Sequence, residues 1–406
     1  MGLQVKDVEL AAQRLKDAVH PIPVTYSTTF SKMSGGEIYL KHENQQKTGS
    51  FKIRGAYNKI ALLMETEKLE SVVASSAGNH AQGVAFAATS LGIKSTIVMP
   101  ASAPIAKVSA TEGYGAKVVL HGSCYDDAYN KACEIVEKEK AVFIHPYNDY
   151  DVMAGQATIG LEIIKDIPTV DMVIVPAGGG GLLAGIAFLL KSINPKIKVV
   201  GVQAEGAKAI YKSFKNKKFT TTDTVQTIAD GIAVKIPGDK TVEIINEYVD
   251  EIVTVTDEEI ASTILLLLER SKQVVEPAGA TPLAAVINNK LDVAGKKVVC
   301  VLSGGNIDVS FIHKIVEKGL VGRGRQVRFN TVMVDTPGSL EKFARIVSTC
   351  GANIIMVQHD RLRADLKFNE AILHVVCEVS GFEHTKKLVG ELEANGYKVM
   401  LESTDD

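Results

Sequence analysis

The chain has 406 residues, and its 45 lysines and arginines nearly balance its 47 aspartates and glutamates. This balance excludes the strong positive field expected of a protein that binds nucleic acid or an anionic membrane, so a small-molecule partner is expected. The longest apolar runs, such as ILLLL at 264–268, are far shorter than the roughly 20 residues that span a bilayer. The amino terminus lacks the apolar core of a signal peptide, and the five cysteines are scattered without CxxC spacing. We therefore expect a cytoplasmic protein without a disulfide framework or a zinc site.

Short β-branched runs alternate with longer helical stretches from about residue 71 onwards. The first series of predicted strands covers residues 71–77, 94–100, 116–122 and 141–147. The second series covers residues 171–177, 198–205, 251–257 and 296–301. Strands that alternate with helices predict parallel sheets covered by helices, here in two facing α/β lobes. Ligands of such sheets bind beyond the carboxyl ends of the strands.

The last part of the chain has a different character. VGRGRQVRF, at 321–329, is rich in glycine and arginine and is interpreted as a linker. The pattern that follows is strand, helix, strand, strand, helix, strand, which is the ferredoxin-like βαββαβ arrangement. The predicted domains are therefore residues 1–322, with two α/β lobes, and residues 328–406.

A lysine with apolar neighbours stands in KTGSFKIRGA, at 47–56. Lys52 lies between Phe51 and Ile53, whereas a solvated lysine usually has polar neighbours. Burial lowers the pKa of a lysine, and the neutral amine is then a base or a nucleophile that forms Schiff bases.

A glycine-rich loop, PAGGGGLLAG at 176–185, follows one predicted strand and opens a helix. Four consecutive glycines let backbone N–H groups surround an anion at a helix start, which predicts a phosphate site. Gly179, Gly181 and Ala184 also satisfy the relaxed dinucleotide fingerprint, and Glu205 stands where a ribose-binding acid belongs. A nicotinamide-dependent oxidoreductase is therefore an alternative.

Two further loops follow predicted strands. SSAGNHAQG, at 75–83, offers hydroxyls and helix-start N–H groups to a carboxylate, and Asn79 can reach a phenolate oxygen. In LSGGN, at 302–306, Ser303 can bond a ligand heteroatom while Gly304 and Gly305 admit a flat ring. Simple capping would explain one residue of SSAGNHAQG but not the whole run, and a tight turn is the alternative for LSGGN. Together the four loops describe a phosphate, a ring nitrogen, a ring oxygen and an aldehyde, which are the features of pyridoxal phosphate.

In chain order the first to fourth motifs are KTGSFKIRGA, SSAGNHAQG, PAGGGGLLAG and LSGGN. In this order and spacing they resemble the fold-type II pyridoxal phosphate enzymes, whose fold is that of the tryptophan synthase β chain, and most closely the threonine dehydratases. The resemblance extends from about residue 5 to residue 320. The carboxy-terminal unit, with VDTPGSL at 334–340, resembles a single ACT domain, a regulatory module that binds small effectors. By resemblance, we expect a homodimer or homotetramer.

The resemblance also implies roles for individual residues. Lys52 holds the cofactor covalently and is a catalytic residue, and Ser303, also catalytic, contacts the pyridine nitrogen. The cofactor contacts implied are Lys52, Phe51, Asn79, Ser303, Gly178, Gly179, Gly180, Gly181 and Leu182. The substrate contacts implied are Ser75, Ser76, Gly78, Asn79 and His80, with no catalytic role for the histidine. Glu276 and Gly279, in EPAGA at 276–280, lie near the cofactor without an assigned role.

The reaction implied is elimination from L-threonine to 2-oxobutanoate and ammonia, and also from L-serine to pyruvate. Serine racemases are similar in all four motifs and remain an alternative, but they carry a proton-donating serine where this chain has Ala77. Their divalent-ion site is half present, since Glu205 matches and Tyr211 replaces the second acid. No metal is predicted, and a cation bound through Glu205 and backbone carbonyls is left as an alternative. A third alternative is an amino-acid sensor whose lobes have lost activity, although the intact Lys52 and Ser303 argue against it.

Overall fold

The computed structural model describes residues 2–66, 68–362 and 366–402, and the last residues of the predicted second domain, 403–406, lie outside them. The chain packs as two units, of which the first ends at Ile307 and the second begins at Asp308. The strands are β1 Val24–Tyr26, β2 Glu37–His42, β3 Ser71–Ser75, β4 Lys94–Met99, β5 Lys117–Leu120, β6 Val142–Phe143, β7 Met172–Pro176, β8 Lys198–Ala204, β9 Glu251–Val255, β10 Lys297–Leu302, β11 Gln326–Val334, β12 Asn353–Asp360, β13 Glu370–Glu378 and β14 Lys398–Leu401.

The helices alternate with these strands through most of the first unit. They are α1 Val5–Leu15, α2 Thr28–Ser34, α3 Lys52–Thr66, α4 Asn79–Ser90, α5 Ile105–Gly113, α6 Tyr125–Glu139, α7 Tyr150–Asp166, α8 Gly181–Ile193, α9 Ala209–Asn216, α10 Asp239–Tyr248, α11 Asp257–Leu266, α12 Pro277–Ile287, α13 Val309–Gly322, α14 Ser339–Thr349 and α15 Phe382–Ala394. Within the described residues, none of them combines the length and apolarity needed to cross a bilayer.

The first unit contains two sheets, as the two series of strands predict. The smaller sheet has the order β5-β4-β3-β6 and is parallel throughout. The larger sheet has the order β1-β2-β10-β7-β8-β9, in which only the β1–β2 pair is antiparallel. The α/β fold class is therefore confirmed.

The larger lobe is built on fully buried elements. Every residue of β7 is buried, as expected for a parallel strand covered on both faces. Helix α8 is apolar around most of its circumference, and its residues from Gly181 to Leu190 are all buried. Consequently the glycine-rich loop between β7 and α8 starts and ends in rigid core.

The second unit contains an antiparallel sheet of order β12-β13-β11-β14 with helices α14 and α15. Its element order is the predicted βαββαβ. Phe329, Phe343 and Leu388 are buried in its own core.

The predicted linker, one predicted strand and the predicted domain boundary differ from the structure, and two strands lack a prediction. The interpretation of 321–329 as a linker is wrong, because α13 extends to Gly322 and β11 already begins at Gln326. Three alternating inward residues, Val327, Phe329 and Thr331, explain the strand. The strand predicted over 141–147 ends at Phe143. Strands β1 and β2 were not predicted. The second unit also begins before the predicted boundary, because α13 belongs to it.

A buried group of charges anchors the amino-terminal half of α3. Arg54 is completely buried and donates to both oxygens of Glu43, at 2.8 Å each, and to Glu162 at 2.6 and 2.9 Å. Burial opposes the charge of Arg54, but the two glutamates outweigh it and raise its pKa. Burial likewise favours the neutral form of Glu162, yet Arg54 and Lys41 hold the pKa of this carboxyl below its usual value. The cluster fixes the segment that carries Lys52, two residues before Arg54.

Replacing Arg54 should therefore destabilise the protein strongly. In an Arg54→Met variant the buried Glu43 carboxylate loses both hydrogen bonds from Arg54 and is left with the Lys41 amine at 3.8 Å. Breaking a buried ion pair in this way typically costs about 3–5 kcal/mol. The matched control is Lys131→Met, whose ion pair with the exposed Glu134 should contribute less than about 1 kcal/mol. Urea unfolding of both variants measures the two losses, and similar small losses would contradict the structural role of the cluster.

Candidate active site

The first and fourth motifs lie side by side. Ser50 forms an isolated antiparallel bridge with Gly304, and the Phe51 N–H donates to the Ser303 carbonyl at 3.1 Å. The Gly305 N–H donates to the Gly49 carbonyl at 2.8 Å. The residue after β10 is thereby held against the residues that precede Lys52.

Lys52 is the first residue of α3, and its amine points to a turn in the smaller lobe. Its Nζ donates to the Pro146 carbonyl at 2.9 Å and lies 5.2 Å from the centroid of the Phe51 ring. Burial lowers the pKa of this amine to about 8, and the negative charge of Glu276 opposes the shift. A large fraction of the amine is therefore neutral at mildly alkaline pH.

The third motif forms a glycine cradle, defined here as residues 178–181. Gly180 caps α8 with a left-handed φ of 99°, which glycine adopts without strain. Among the described residues, the backbone N–H groups of Gly178, Gly179 and Gly180 have no backbone acceptor. The first N–H groups of α8, at Gly181 and Leu182, are also outside the helical hydrogen bonds. These donors suit an anion at a helix start.

The turn after β6 connects the lysine to this cradle. Tyr147 packs closely on the cradle: a Cβ on Gly179 would overlap its ring, and one on Gly181 would lie 2.9 Å from its Cα and Cβ. Its hydroxyl donates to the Ile236 carbonyl at 2.9 Å. Since Pro146 accepts from Lys52, this turn touches both functional elements.

The second motif places helix-start donors beside a buried hydroxyl. Gly78 caps α4 without a side-chain bond, so the first N–H groups of the helix are open. Ser76 Oγ accepts from the Gly78 N–H at 3.2 Å, and Ser75 Oγ is buried without a hydrogen-bond partner among the described residues. This arrangement suits a carboxylate. Its direct ligands remain predictions.

His80 is anchored away from this set of donors. It is 3% exposed, and its Nε2 lies 2.8 Å from the Ile144 carbonyl, to which it donates. Burial and, secondly, the charge of Lys52 lower its pKa to about 3, so the imidazole is neutral. The predicted substrate contact of His80 therefore rests on its position alone, and the structure supplies a role in anchoring α4.

Asn79 joins the second motif to two residues that sequence reasoning left without a role. Its Nδ2 lies 2.9 Å from both oxygens of Glu276, and its Oδ1 accepts from Asn306 Nδ2 at 2.8 Å. The sequence places Glu276 in EPAGA and Asn306 at the end of LSGGN, and it indicates no role for either residue. A glutamate immediately before a proline at a helix start was the available signal for the first. Pro146 and Tyr147 were missed because their turn was predicted as strand, although an X-Pro step was visible.

The donors present fit pyridoxal phosphate. Unpaired N–H groups at the cradle match a phosphate, the half-buried amine of Lys52 matches an aldehyde, and Asn79 and Ser303 supply neutral polar groups for a ring. The buried, unpartnered hydroxyl of Ser75 is further unused bonding capacity in the second motif.

Glu205 contributes little to a site. It follows β8 and pairs with Lys208 at 3.8 Å, and both side chains are substantially exposed. In the part of the chain that the structure describes, no group of three or more His, Cys, Asp or Glu side chains is placed to hold a metal ion.

The family model described as pyridoxal-phosphate dependent enzyme matches residues 15–304. The chain belongs to this family. The predicted cofactor, pyridoxal phosphate, is therefore confirmed. The alternative of a nicotinamide-dependent oxidoreductase is rejected.

Three individual proteins are similar to this chain. An L-threonine ammonia-lyase from Thermotoga maritima is 50% identical over 399 residues, covering 98% of this chain and 99% of that protein. The catabolic L-threonine dehydratase TdcB of Escherichia coli is 50% identical over 317 residues, which cover 78% of this chain and 96% of that protein. Among solved structures, maize serine racemase has a TM-score of 0.75 and 34% identity, and covers 79% of this chain and 99% of that one.

The titration of Lys52 can be measured in cofactor-free protein. As the pH rises through about 8 the amine loses its proton, so its rate of acetylation by a trace of acetic anhydride should be half-maximal there. An ordinary solvated lysine reaches this point near pH 10.4. Mass spectrometry of the Lys52 peptide across a pH series gives the curve, and a midpoint near 10 would contradict the effect of burial.

Proposed function

We propose that this enzyme deaminates L-threonine to 2-oxobutanoate and ammonia, and L-serine to pyruvate, by α,β-elimination. The observation that carries the proposal is the half-buried Lys52 amine at the junction of four loops, in a chain that is 50% identical to an L-threonine ammonia-lyase over nearly its full length. Identity to the racemase structure is lower, at 34%.

When bound, pyridoxal phosphate would supply an aldehyde for the amino group of the substrate and an electron sink for its α-carbon. The glycine cradle, together with Leu182, would hold the phosphate with its unpaired N–H groups, and Phe51 would lie beside the ring. Asn79 donates to the ring oxygen. Ser303 is a neutral partner for the ring nitrogen, which limits charge storage in the ring and favours loss of the β-hydroxyl.

Lys52 acts as the base. Its lowered pKa leaves a neutral amine that removes the α-proton of the substrate. The second motif would bind the substrate carboxylate through Ser75, Ser76, Gly78 and the first N–H groups of α4. Holding the carboxylate there restrains the α-carbon relative to the amine.

We further propose that the second unit is an ACT-like effector module, that the protein forms a homodimer or homotetramer and that it works in the cytoplasm. The ferredoxin-like βαββαβ order supports the module, and DTPGSL opens α14 with a left-handed glycine, Gly338. All five cysteines are free thiols, in keeping with a reducing compartment. Titration of activity with isoleucine, valine and AMP, together with light scattering, tests the first two proposals.

Removal of the Lys52 amine is the direct test of the function. A Lys52→Ala variant should lose the yellow colour of the loaded enzyme and lose at least about 10²–10⁴-fold in 2-oxobutanoate formation, because it lacks both the attachment point and the base. Exposed Lys196→Ala is the matched control and should retain both. Near-normal deamination by Lys52→Ala would refute the mechanism.

Ala77 separates elimination from racemisation. A methyl group has no proton to return to the far face of the α-carbon, so the parent enzyme should form little D-amino acid. Ala77→Ser supplies a hydroxyl at that point of the second motif, and chiral chromatography should show a rise in D-serine from L-serine. An unchanged ratio of D-serine to pyruvate would exclude this explanation of the specificity.

A further inference from the structure

We propose that Glu276 and Asn306 are positioning residues that fix the side-chain amide of Asn79 in one orientation and leave one of its N–H groups for the cofactor ring oxygen. The inference rests on the proposed role of Asn79 in the function above. It concerns two residues that are themselves assigned no contact with the cofactor.

The orientation of Asn306 is set by the backbone. Its Nδ2 donates to the Thr48 carbonyl at 2.8 Å, and a carbonyl can only accept. The nitrogen therefore faces the first motif, and the same Nδ2 donates to Asn79 Oδ1 at 2.8 Å. This contact requires an acceptor on that side of Asn79.

Glu276 determines which atom of the Asn79 amide lies on the side away from Asn306. Both of its oxygens lie 2.9 Å from Asn79 Nδ2, and an ionised carboxylate can only accept. A flipped Asn79 would place its oxygen against the carboxylate and its nitrogen against Asn306 Nδ2. Both contacts would then be lost, so the two neighbours reject the same wrong orientation. Because the two oxygens of one carboxylate lie close together, a single N–H of Asn79 can serve both, which leaves its second N–H for the cofactor.

The carboxylate itself has little freedom. Glu276 is 4% exposed and stands immediately before Pro277 at the start of α12, and its backbone N–H donates to the Gly304 carbonyl at 2.9 Å. A Cβ on Gly304 would overlap Glu276 Oε1, and one on Gly231 would approach it to 3.3 Å. Gly304 is thus required by the glutamate and not only by a ring.

The pairing also depends on pH. Burial raises the pKa of Glu276 to about 7, although the hydrogen bond from Asn79 acts in the opposite direction. The charged groups that face it are Asp230, which raises the pKa, and Lys107 and Lys52, which lower it. Below about pH 7 the carboxyl gains a proton and is no longer an acceptor only, so its hold on Asn79 weakens.

The test is equilibrium dialysis of pyridoxal phosphate against cofactor-free protein. Glu276→Gln and Asn306→Ala should each raise the dissociation constant about tenfold, since one oriented hydrogen bond is lost. Asn288→Ala is the matched control; it removes an amide that bonds the Ala284 carbonyl at the far end of α12, and it should leave the constant unchanged. Thermal unfolding of each variant checks its fold.

A second measurement separates positioning from simple packing. In the parent the dissociation constant of pyridoxal phosphate should rise as the pH falls through about 7. This rise should be absent from Glu276→Gln, because glutamine does not titrate. The Asn79 side-chain amide signals of cofactor-free protein, assigned by NMR through Asn79→Asp, should shift with the same midpoint only in the parent. If Glu276→Gln fails to fold, the inference is tested by two other measurements. These are the pH dependence of the Asn79 amide signals in the parent and the dissociation constant of pyridoxal phosphate for Asn306→Ala.

The results that would contradict the positioning role differ from those that would contradict the proposed function. Equal dissociation constants for the parent and Asn306→Ala, or an Asn79 signal that is insensitive to pH between 6 and 8, would overturn the positioning inference. A parent that binds pyridoxal phosphate but does not deaminate threonine would overturn the proposed function and leave this inference standing.

Discussion

The site depends on the partial burial of one side-chain amine, that of Lys52. Burial disfavours the charged form of Lys52, and the Pro146 carbonyl holds its nitrogen in place. Such an amine keeps its position only if its helix does not shift. Arg54, two residues along α3, is tied to Glu43 and Glu162 on rigid elements, and unpairing such buried charges is costly. The charge cluster therefore stabilises the geometry that lowers the lysine pKa.

The glycines of the motifs satisfy two demands at once. A phosphate needs exposed N–H groups, and Gly179 and Gly181 provide the backbone approach. Gly179 also makes room for the Tyr147 ring, and Gly181 for the Tyr147 backbone and Cβ. Gly304 likewise makes room for the Glu276 carboxylate. Close packing on one side of each loop holds its other side still, so each motif is as much a packing requirement as a ligand requirement.

The same scaffold accommodates related reactions through few differences. The chain shares 34% identity and its fold with a serine racemase, and 50% identity with an ammonia-lyase. The lysine, the cradle and the amide are compatible with either reaction, because both begin with removal of the α-proton. In the proposed mechanism the two reactions differ in whether a proton donor stands on the opposite face, and Ala77 is not one. The missing hydroxyl would then favour elimination.

Local sequence alone determined the alternating strands and helices, the two parallel sheets, the βαββαβ order of the second unit, and the four loops with Lys52 among them, because hydrophobic period and glycine placement are local signals. Tertiary structure decided which strands are neighbours, so β1 and β2 joined the larger sheet unpredicted. It also decided that β11 begins inside the apparent linker. Glu276, Asn306, Pro146 and Tyr147 act through contacts with residues far away in the chain, and no local pattern specifies such contacts.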